Sequence, residues 1–91
     1  MLEWHGKEVR FSLAAYHELA KYDLNQFDIL EVLEIGETLP TKRKPGIVEK
    51  CIKKKEGLLK IVICESFEYS SKKDVFVIIH IALIKKPKKG G

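Results

Sequence analysis

The chain has 91 residues, 45% of them hydrophobic, and 17 Lys and Arg against 13 Asp and Glu, for a formal charge of +4. That length builds one domain around one core and excludes a second. The richest apolar run, residues 75–84, is broken by His80 and falls far short of the roughly 20 residues a membrane helix needs.

The opening Met-Leu-Glu-Trp-His lacks the basic head and apolar middle of a signal peptide. Two isolated cysteines, Cys51 and Cys64, give no disulfide framework, so a cytoplasmic protein is expected. Residues 2–11 alternate loosely around His5-Gly6-Lys7, as a short strand pair or an extended arm would. From Ser12, an N-cap residue, the period becomes helical: Leu13, Tyr16 and Ala20 form a stripe, with Ala15 and Leu19 beside it, to about Tyr22. Asp23-Leu24 makes the corner. Asn25 caps a second helix with Asp28 at its third position, Ile29, Leu30 and Leu33 on its buried side, and Gly36 at its end.

Residues 38–46 read as a loop bracketed by Pro40 and Pro45. Three strand-like runs follow, at about 47–55, 58–67 and 75–84, with Glu56-Gly57 as the hairpin turn between the first two. The third run is apolar at both parities, as the most covered strand would be. The expected fold is α+β, two N-terminal helices packed on one face of an antiparallel sheet of at least three strands. It comprises a single domain over 1–84 and a basic tail over 85–91.

Charge is uneven along the chain. Residues 1–40 hold three basic and eight acidic side chains, and residues 41–91 hold 14 and five. This fits a solvated Lys/Glu-rich surface of the heat-adapted kind, or a dipolar molecule with one anion-seeking side. With the turn at Glu56-Gly57, Ile52 faces Ile61 and Lys50 faces Ile63 on the helix side. Cys51 then faces Val62, and Lys53 faces Lys60 on the other side. Such a lysine pair either splays into solvent or holds an anion. His80 joins that face in one parity of the third strand and enters the core in the other. Cys51 and Cys64 are diagonal neighbours in this register and are read as reduced thiols.

Motif searches return little. His5, His17, Cys51, Cys64 and His80 are scattered singly, so no metal site and no cofactor is expected. Trp4, Tyr16, Phe67 and Tyr69 read as core or rim residues rather than base-stacking platforms.

The stretch from Phe11 to Ala20, then Asp23-Leu24-Asn25-Gln26-Phe27-Asp28-Ile29, then Val32-Leu33-Glu34-Ile35-Gly36-Glu37, resembles the helix pair of a family of small bacterial and archaeal domains. Those read Ser-x-His-Ala, Arg-Gly-Ile-x-x-x-Asp-Val and Val-Leu-x-x-Gly before an antiparallel sheet. Their architecture is similar to BrnT and, more remotely, to the RelE/ParE-type toxins of toxin–antitoxin pairs. Ala14 stands where the family has His, Tyr22-Asp23 where it has Arg-Gly, and Glu18 where it has a helix Arg. The resemblance implies an RNA-cleaving or RNA-binding protein that works without metal through a basic sheet face, with RNA or the ribosome and an antitoxin protein as partners.

On that reading His80, or a lysine of depressed pKa, is the base, with Lys53, Lys60 and Arg43 stabilising charge on the phosphorane. Lys42, Arg43, Lys44, Lys53, Lys60, Lys85 and Lys86 bind phosphate. The alternative is a non-catalytic domain that binds nucleic acid or a protein partner.

Overall fold

The computed structural model describes residues 2–40, 45–55 and 57–85. In chain order the elements are β1 (Glu3–Trp4), β2 (Lys7–Phe11), α1 (Leu13–Lys21), α2 (Gln26–Ile35), β3 (Glu37–Leu39), β4 (Ile47–Lys54), β5 (Gly57–Glu68) and β6 (Lys73–Lys85). Strands dominate, and they form one six-stranded curled sheet in the order β1-β2-β6-β5-β4-β3.

This corrects the expected architecture. The two helices are short and lie in the middle of the chain, behind a hairpin that is itself part of the sheet. The sheet is also mixed: β2 runs parallel to β6, while the other pairs are antiparallel. Short strands explain the difference. β1 and β3 have two and three residues, too few to show a period of two. A turn at His5 and Gly6, both at positive φ (52° and 74°), closes β1 on β2. It leaves Val9 pointing into the core.

The helix ends follow local chemistry. The Ser12 hydroxyl accepts from Ala15 N at 3.1 Å, and Asn25 and Asp28 exchange hydrogen bonds in a capping box. α2 buries Ile29, Val32 and Leu33 in the concave face of the sheet and touches β1, β4 and β5. The curl brings Lys50 of β4 over the Trp4 ring of β1, 5.2 Å from its centroid, although three strands separate them in the sheet.

α1 lies differently. β2 pairs with β6 only as far as Ile78, and α1 continues along the edge beyond it. Ser12 N donates to Ile78 O at 2.9 Å, and Ile81 N donates to Glu18 Oε1 at 3.0 Å. A helix thus covers a strand edge that would otherwise offer bare backbone groups. The cost is that Leu13 and Tyr16 of its expected stripe are exposed, at 75% and 63%, while Ala15 is buried.

The β4–β5 register is two residues away from the expected one. Lys54 faces Gly57, Lys53 faces Leu58, Ile52 faces Leu59, Cys51 faces Lys60 and Glu49 faces Val62. A shift of two keeps parity, so Ile52, Leu59, Ile61 and Ile63 still share the core side. Gly57 belongs to β5 instead of the turn, and Glu56 lies outside the described residues. Gly57 has φ +149°, and a Cβ there would sit 2.0 Å from Ile84 O. Between β5 and β6, Val62 faces His80 but Ile63 faces Ile78, leaving Ile79 as a bulge that inverts the parity of β6. No helix among the described residues is long and apolar enough to cross a membrane.

Candidate nucleic-acid interface

Six of the 17 basic residues, but one of the 13 acidic ones, belong to segments 41–44, 56 and 86–91. The described residues therefore hold eleven basic against twelve acidic side chains, and local pairing decides which cations remain available.

Most of those on the outer face of the sheet are neutralised. Lys60 Nζ lies 2.6 Å from Glu49 Oε1, and Cys51, not Lys53, is opposite Lys60. The expected Lys53/Lys60 pair thus does not form. At the start of β6, Glu8 binds Arg10 at 2.7 Å and Lys73 at 2.9 Å, and Arg10 also reaches Glu68. The Lys73 hydrogen bond, reinforced by Arg10, holds the Glu8 carboxyl below the usual carboxylate range. Val75, paired with Glu8 on that face, is buried.

The bulge places His80 on the Lys60 side of the sheet, opposite Val62 and half-exposed. Ala82 shares this face, whereas Ile78 is in the core. Nδ1 of His80 lies 3.0 Å from Glu18 Oε1, the oxygen that also accepts from Ile81 N. Of the expected catalytic trio, Lys60 and His80 thus each have a carboxylate partner, and Lys53 has none among the described residues.

The end of the sheet where β4 approaches β5 is different. Lys53, Lys55 and Lys85 are exposed there and have no acidic partner among the described residues, while Lys54 is held by Glu31 of α2. Lys85 faces Gly57, which faces Lys54, so strand pairing brings these lysines to one end. Half-exposed Ile84 lies opposite Leu58 beside Lys53. Lys86, and with it the rest of the tail, follows directly from β6 but lies outside the described residues.

Lys42, Arg43 and Lys44 also lie outside the described residues. Their flanks, Pro40 and Pro45, adjoin the other end of β4, about 20 Å from Lys53 at 3.3 Å per residue. Of the expected phosphate-binding set, the structure thus describes Lys53, Lys60 and Lys85.

Beside the unpaired lysines is a cavity of about 470 Å³. Leu59 and Leu83, a cross-strand pair, line it together with Tyr22 and Leu24 of the helix corner, and Asp23 and Lys55 supply opposite charges. In the sequence Asp23-Leu24 reads only as a corner, and nothing there sets Lys55 apart from the neighbouring lysines. Asp23, the residue after the C-cap Tyr22 of α1, has φ +54°, a conformation Asp tolerates. Among the described residues, no group of three or more His, Cys, Asp or Glu is arranged to hold a metal. No family model, no curated protein and no solved structure matches this chain.

Proposed function

We propose that this protein is a non-catalytic RNA-binding module of the cytoplasm, gripping phosphates at the end of the sheet formed by Lys53, Lys55 and Lys85. The observation carrying this reading is their placement at one end of the sheet, Lys53 on its outer face and Lys85 on its core side, exposed and without carboxylate partners among the described residues. Ammonium groups free of internal partners can release counterions from a polyanion, and salt-bridged ones must first break a bond.

Fluorescence anisotropy with a single-stranded RNA tests it. With three to six phosphate contacts, log K should fall with log salt at a slope of about −2 to −4. Replacing the three lysines by Ala should reduce that slope by about 2. Binding that is absent, or unchanged by the triple substitution, removes the proposal.

One observation favours a second reading, a metal-independent endoribonuclease. Glu18 engages Nδ1 of His80 and no partner among the described residues takes Nε2, so a neutral ring fixed in this way could accept a ribose 2′-OH proton. Lys60, held by Glu49, is poorly placed to stabilise the phosphorane. RNA cleavage, alone or on ribosomes, that disappears in His80→Ala would favour this reading. Cleavage that persists in His80→Ala would discard the site.

A further inference from the structure

We propose that the cavity between the helix corner and the Leu59–Leu83 pair receives one unstacked base of a single RNA strand, with guanine preferred. This rests on the RNA-binding reading and names what that end of the sheet selects.

The cavity, about 470 Å³, falls within the size range of small-molecule sites. Its floor is apolar, from Leu59 and Leu83, and Tyr22 adds an aromatic wall. Such surfaces suit the face of a flat heterocycle. Two other polar residues of the lining are already engaged: Asp28 accepts from Asn25 N at 2.9 Å, and Lys54 binds Glu31. That leaves Asp23, Lys55 and the Tyr22 hydroxyl as the groups available to a ligand among the described residues. A purely apolar ligand would use neither Asp23 nor Lys55, both exposed at the rim, so the lining suits a ligand with an apolar face and polar groups at its edge.

A base linked to phosphate answers both. The pairing edge of guanine presents two adjacent N–H donors, which one carboxylate accepts together. Adenine and cytosine offer a single amino group beside an acceptor nitrogen, and uracil flanks its N–H with carbonyls that repel a carboxylate. Lys55 then faces the phosphate side. Lys85 is two residues beyond Leu83 and so on the same face of β6, where it meets the next phosphate. A base in a duplex is paired and stacked, and extruding it costs a few kcal/mol, so a single strand is favoured.

The test compares a uridine dodecamer with the same strand carrying one central guanosine, measured by anisotropy at fixed salt. The single guanosine should tighten binding about tenfold, and Asp23→Asn should abolish that gain while leaving uridine binding and thermal stability unchanged. Asn tolerates the left-handed conformation of residue 23, so this variant should fold. Equal binding of both strands, with Asp23→Asn silent, overturns the base site but leaves the RNA-binding reading intact. If neither strand binds, that reading fails, and titration of guanosine monophosphate followed by NMR decides the cavity. Shifts at Tyr22, Leu59 and Leu83 would uphold a guanine site, and their absence would overturn it.

Discussion

The two ends of β6 carry similar numbers of cations and use them in opposite ways. At its start, Lys73 and Arg10 are tied to Glu8 and Glu68 across three neighbouring strands, over a buried Val75. At its finish, Lys85, with Lys53 and Lys55 nearby, has no such partners among the described residues. Lysine content alone therefore says little about binding. What separates a structural cation from an available one is whether the strand register delivers a carboxylate beside it.

The largest expected effect is from breaking the geometry that assembles the second end. Gly57→Ala should destabilise the fold by about 3 kcal/mol, read from urea unfolding, because its Cβ meets the Ile84 carbonyl at a φ that L-residues avoid. Next comes the direct comparison. Lys53→Ala, Lys55→Ala and Lys85→Ala together should weaken RNA binding on the order of 10²-fold at low salt with little change in stability. Lys73→Ala should do the reverse, lowering stability slightly and leaving RNA affinity unaltered.

Smaller again is the edge contact of Glu18. Glu18→Ala leaves the buried Ile81 N–H without its acceptor and should cost about 1–3 kcal/mol, whereas Glu18→Gln should retain most of the stability. The smallest effect sharpens the view of the neutralised end. The folded-state pKa of Glu8 is lowered, so its contribution to stability is complete above the ordinary value of 4.5 and lost as pH falls through the lowered one. Wild type and Glu8→Gln compared by thermal unfolding should diverge above pH 4.5 and converge in acid.

The parts of this molecule set by near neighbours were legible in its sequence. Ser12, Asn25 with Asp28, and Gly36 mark the helix ends because capping acts over three or four residues. The parts set by distant pairing were not. Placing the turn at Glu56-Gly57 moved every β4–β5 pair by two residues, which set Lys60 against Lys53 and hid its contact with Glu49. The parallel β2–β6 contact joins residues more than 60 positions apart, and nothing in either segment announces the other. The Ile79 bulge, which decides the side of His80, has no signal in an apolar run where either parity fits. Lys53 and Lys85 could be picked out from the sequence as cations, but not as ones left without carboxylate partners among the described residues.

The seam where Lys50 rests on Trp4 also provides a built-in reporter. The chain has a single tryptophan, and it sits where the first strand meets the fourth across the rolled sheet. Its emission senses the nearby ammonium only while the roll stays closed around α2. Intrinsic fluorescence can thus follow opening of that roll in an unlabelled sample, independently of anything bound at the lysine-rich end.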